Sequence, residues 1–131
     1  MKRFLLILLL AVGISGCQQQ KDQAYYLKHP AKLKTILHRC DAQASPDDFC
    51  QASYKMGLSL NTLIQSFMKN QQVFGQKILQ AQMKRADLQR QLNQAKSSDD
   101  QVKIASLKEQ VSQAQSQVEA YRAVVSMFMR F

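Results

Sequence analysis

Two regular apolar rows run through the C-terminal half of this 131-residue chain. In the first, Leu60, Ile64, Phe67, Phe74, Ile78, Ala81, Leu88, Leu92 and Ala95 recur at 4-3 spacing, with Gln71 and Arg85 as polar interruptions. The second runs without a miss through Ile104, Leu107, Val111, Ala114, Val118, Tyr121, Val125 and Phe128. Such spacing keeps apolar side chains on one face of a helix and predicts coiled-coil-like packing. The rows are out of phase: continuing the first lands on Asp99, Val102 and Ser106. Ser97-Ser98-Asp99-Asp100-Gln101 separates them, and Ser98 with Gln101 has capping-box spacing around two acids that suit a helix N-terminus. A new helix is therefore expected there, folding back as an antiparallel hairpin in preference to one staggered rod. The first helix, over 60–95, would extend roughly 54 Å at 1.5 Å per residue. Gly75 inside it costs about 1 kcal/mol and marks a candidate kink, while Arg85 is expected to carry its head out to solvent.

Upstream the elements are shorter. Pro30 suits a first helical turn, and Leu33, Ile36 and Leu37 share one face of a helix over 31–39. Ser45-Pro46-Asp47-Asp48 predicts a further helix start, capped by Ser45, on which Phe49, Cys50, Ser53 and Tyr54 form a row. The fold class expected is all-α: a small disulfide-pinned helical hairpin followed by a long antiparallel helical hairpin or coiled coil. At the N-terminus, Met1-Lys2-Arg3 precedes an unbroken apolar run from Phe4 to Val12. The run falls short of the roughly 20 residues a membrane-spanning helix needs, so it reads as a cleaved signal.

The signal ends Ile14-Ser15-Gly16-Cys17, which resembles a bacterial lipobox. That resemblance implies cleavage before Cys17 and acylation of this cysteine. Two or three acyl chains, at about 0.8 kcal/mol per buried CH₂, anchor a protein durably. The chain after Cys17 is then a tethered, periplasm-facing domain of the cell envelope. Gln18, rather than aspartate, follows the cysteine and favours the outer membrane over the inner.

Compartment changes the reading of charge and cysteine. The formal charge is +9, and without Lys2 and Arg3 it is 16 basic minus 9 acidic residues, or +7. Outside the cytoplasm, anionic headgroups or a charged protein are the expected counterparts. Aromatic residues do not alternate with the basic ones, so no nucleic acid is expected. Cys40 and Cys50 remain as an even pair in an oxidising compartment and predict a disulfide. Closing a loop of about 11 residues contributes roughly 2.5 to 3 kcal/mol in the chain-entropy account. A metal site with His29 or His38 fits less well, because the spacings match no paired-ligand pattern. No metal or other cofactor is expected beyond the lipid on Cys17. No residues resemble a nucleophile–base pair, so catalysis is not expected.

Tyr25-Tyr26-Leu27, then His29-Pro30, Cys40, a polar loop with Pro46, and Cys50-Gln51-Ala52 together resemble the EexN family. These are small lipoproteins linked to entry exclusion in conjugative plasmids and related type IV secretion loci. The resemblance spans Cys17 to about Lys55. It implies that Cys17 is the lipid site, that Cys40 and Cys50 are bridged, and that Tyr25, Tyr26, His29 and Pro30 mark a possible partner surface. The expected organisation is a signal peptide over 1–16, a lipidated tether over 17–24, an EexN-like head over 25–56, and a coiled-coil arm over 57–131. The implied function is to block redundant DNA transfer by contacting a secretion-system component. The alternative is a structural lipoprotein subunit of the channel itself. Self-association through the arm is a further expectation. The apolar ending Met127-Phe128-Met129-Arg130-Phe131 is expected to close the hairpin or meet a partner, since no alternating strands precede it as in a membrane barrel.

Overall fold

A computed structural model describes residues 21–129. The expected signal peptide, Cys17, Gln18, Arg130 and Phe131 lie outside the described residues. Within them the chain is all-α, with no strand and five helices: α1 (Gln23–Lys28), α2 (Pro30–Asp41), α3 (Asp48–Lys69), α4 (Gln71–Ala95) and α5 (Gln101–Phe128).

The long hairpin forms as its two rows require. The Phe74 ring stands edge-on to Tyr121 at 5.3 Å, and Arg85 Nη1 donates to Gln115 Oε1 at 2.6 Å. Residue numbers rise along α4 as their partners' numbers fall along α5, so the pair is antiparallel. Near the turn, Leu88, Leu92 and Ala95 pack with Ile104, Leu107 and Ala114 in a separate small core. Arg85 does reach outward, and its head is fixed by that bond across the hairpin.

Caps depart from expectation in a consistent way. Ser98 does not cap α5; its hydroxyl donates back to the Ala95 carbonyl at 2.8 Å, finishing α4. Asp100 caps α5 instead, accepting from Lys103 N at 3.0 Å. Likewise Asp47, not Ser45, caps α3, accepting from Cys50 N at 2.8 Å. In both places an aspartate stands at the positive end of the helix, where the dipole favours an acidic side chain.

The predicted helix over 60–95 is two helices. They break at Asn70, whose backbone is extended (φ −158°, ψ 98°) and whose side chain accepts from Val73 N at 3.0 Å. The intrinsic taste of asparagine for caps outweighs the continuing apolar row. Gly75, the expected kink, sits inside regular α4. The break lets Phe67 and Phe74 meet edge-to-face at 5.3 Å, while Phe128 stacks on Phe67 at 5.0 Å.

The tether ends earlier than expected. Asp22 caps α1 by accepting from Tyr25 N at 2.9 Å, so Gln23 and Ala24 are helical and Ala24 is buried. Short as it is, α1 packs chiefly along α5. A second buried stripe on α5, Ala120, Ala123 and Val124, shares one apolar cluster with Tyr26 and Leu27 of α1 and serves as its seat. The main core gathers Tyr26, Leu27 and Leu33 with Leu60, Phe67, Phe74 and that stripe. The boundary drawn between 56 and 57 falls inside α3.

Candidate functional site

The residues singled out in the head come together at the α1–α2 corner, but in different environments. His29 forms the corner itself: its N–H donates to the Tyr25 carbonyl and its own carbonyl accepts from Lys32 N, both at 3.0 Å. Pro30 follows at the first position of α2, where its missing N–H costs nothing. Tyr26 points inward and is 2% exposed, a core residue. Tyr25 is half-buried, edge-on to Tyr26 at 5.3 Å and against the His29 ring at 4.8 Å. The paired tyrosines thus divide their roles, one filling the core and one facing outward.

Cys40 and Cys50 stand at bonding distance, with S–S 2.03 Å and Cα–Cα 5.5 Å. Both are buried and join the end of α2 to the first turn of α3. Beside the bridge, Tyr54 Oη donates to Asp41 Oδ1 at 2.7 Å, a second tie between the same helices. That hydrogen bond to the carboxylate is the main reason the Tyr54 phenol is held above its ordinary pKa of 10.0, with desolvation and the nearby negative charge adding to it.

Two surface features adjoin the corner. On one side, Lys21, Tyr25, Lys32, Ile36, Arg39 and Phe49 line a shallow notch of about 220 Å³. The Lys21 ammonium lies 5.9 Å from the Tyr25 ring centroid. On the other side, Leu27, Pro30, Leu37, Leu60, Ile64 and Met127 line an apolar groove of about 480 Å³. Sequence reasoning passed over Lys21, Lys32 and Arg39, and placed Phe49 only in a helix row. The signal was present: Lys32, Ile36 and Arg39 fall at i, i+4 and i+7 on one flank of α2.

Among the described residues, no three His, Cys, Asp or Glu side chains gather as metal ligands would. Also among the described residues, no helix is long and apolar enough to cross a membrane. No protein-family model, curated protein or solved structure matches the chain.

Proposed function

We propose that this protein is a lipid-anchored envelope protein of a conjugative or type IV secretion locus, acting in entry exclusion by protein–protein contact. What supports the reading most is the order of marks in one short segment: lipobox, Tyr25-Tyr26, His29-Pro30, and the bonded Cys40 and Cys50. Each mark has a physical use in that role. A cysteine acylated at position 17 holds the domain at the membrane. The disulfide and the Tyr54–Asp41 bond hold α2 against α3, so the surface they present is defined before any partner arrives. The rod made by α4 and α5 gives that surface a long, stiff body.

The test is transfer frequency into recipients that express the protein, beside recipients expressing Cys17→Ser. A large drop with the wild type, lost in the variant, supports lipid-anchored exclusion. Equal transfer into expressing and non-expressing recipients overturns it. Loss of transfer on deletion in the donor, with no effect in the recipient, would make the protein a channel subunit instead.

A further inference from the structure

We infer that the flank of α1 and α2 bearing Lys21, Tyr25, Lys32, Arg39 and Phe49 is a membrane-docking face for anionic phospholipid headgroups. The inference deepens the anchored reading above and rests on it for the orientation of the domain.

Charge comes first. Over positions 21–49 the chain carries five cations (Lys21, Lys28, Lys32, Lys34, Arg39) against four carboxylates (Asp22, Asp41, Asp47, Asp48), of which Asp41 and Asp47 accept hydrogen bonds from Tyr54 and from Cys50 N. Asp22 is already committed, accepting from Tyr25 N at 2.9 Å and from the Ser116 hydroxyl at 3.5 Å. Among the described residues, the one ion pair within 4.0 Å joins Arg90 to Asp87 on α4. Lys21, Lys32 and Arg39 are exposed and unneutralised by any carboxylate of the described chain.

Shape comes next. The three cations surround a floor made by Tyr25, Ile36 and Phe49, of which both aromatic rings are half-buried. Cations beside amphipathic rings suit the headgroup layer, where tyrosine rings settle at the polar–apolar boundary and ammonium or guanidinium groups meet phosphates. Position completes the case. Lys21 is four residues from Cys17, a leash of at most about 14 Å, so a lipid on Cys17 keeps this flank within reach of the bilayer. Each basic residue near an anionic surface is worth about fivefold in binding, and three together roughly a hundredfold.

The experiment uses the mature protein purified from a host envelope and reconstituted into vesicles of phosphatidylcholine, with or without phosphatidylglycerol. Lysine acylation by a soluble reagent, read by mass spectrometry, reports which ammonium groups are covered. Lys21 and Lys32 should lose reactivity several-fold in the anionic vesicles alone, while Lys77 and Lys84 keep theirs, and high salt should restore Lys32. The double substitution Lys21→Gln with Arg39→Gln should abolish the protection of Lys32. The matched pair Lys84→Gln with Arg90→Gln should leave it intact. Equal protection of Lys32 and Lys84, or protection that ignores phosphatidylglycerol, overturns the inference. Intact mass reports acylation of Cys17 separately. An acylated protein with no protected flank sinks the docking face alone, and an unacylated one with a protected flank sinks the anchor alone.

Discussion

At the scale of single residues, neighbours in sequence have opposite consequences. Phe74 is completely buried and touches both Phe67 and Tyr121. Phe74→Ala should cost about 3–5 kcal/mol, combining lost transfer energy with the cavity left behind. Gly75, next along the same helix, faces open space, with nothing within 4 Å of where a Cβ would sit. Gly75→Ala should therefore raise stability by about 0.5–1 kcal/mol, since the helical backbone is already suited to alanine. Paired denaturant melts check both, and a destabilised Gly75→Ala would mean that α4 is not regular at this point. Tyr54 gives a pH test. The neutral phenol makes the bond to Asp41 and its folded pKa is raised, so the bond's contribution is complete below the ordinary tyrosine pKa. It disappears as pH climbs through the raised value. Subtracting the alkaline absorbance titration of Tyr54→Phe from that of the wild type should isolate a phenol ionising above free tyrosine. A difference curve centred at or below the free value would remove the bond.

At the scale of elements, the 4-3 rows disclosed the hairpin because each helix of a long pair repeats one demand many times. The phase break between Ala95 and Ile104 located the turn for the same reason. Single-residue decisions were less legible. The row's polar slot was read at Gln71, yet the side chain of neighbouring Asn70, bonding Val73 N, ends a helix. The alanines of α5 were harder still, because a small residue reveals nothing about what covers it. Ala120 and Ala123, with Val124, turn out to be the seat of α1, where a small side chain lets another backbone come close. Ala120→Leu should force α1 off this seat at a cost of about 1–3 kcal/mol. Amide exchange of residues 23–28 should then rise far more than that of α4 near the turn. Uniform acceleration across both helices would show that α1 is not docked there. The candidate site was legible in the same uneven way: Tyr25, His29 and the two cysteines stood out by type, whereas Lys21 meets Lys32 and Arg39 around Tyr25 only because the fold brings the start of α1 beside one flank of α2, where those two stand two turns apart.

At the scale of the whole molecule, the question is whether the head is a unit. Its disulfide suggests independence, because the bridge lies wholly within 25–56. The core points the other way. Tyr26, Leu27 and Leu33 share one buried cluster with Leu60, Phe67, Phe74, Ala120, Ala123 and Val124, and the last six all lie beyond residue 56. A chain ending there keeps the bridge but loses both the seat of α1 and the apolar partners of α2. Fewer than about 40 residues seldom bury enough surface to stay folded, and a short disulfide loop of this kind limits the unfolded ensemble without supplying a core. The fragment 17–56 should therefore show no cooperative thermal transition by circular dichroism, while the whole protein melts in one step from its shared cluster. A fragment that melts sharply, with a native-like near-ultraviolet tyrosine signal, would make the head autonomous. The outcome decides how the proposed partner surface is maintained. If the fragment is unfolded, the corner at His29-Pro30 owes its geometry to α5, some ninety residues away along the chain. Under the proposed exclusion role, a substitution in that stripe, such as Ala120→Leu, should then weaken exclusion without touching any residue of the exposed face. Wild-type exclusion by a protein whose α1 has demonstrably left its seat would separate the two ends of the molecule for good.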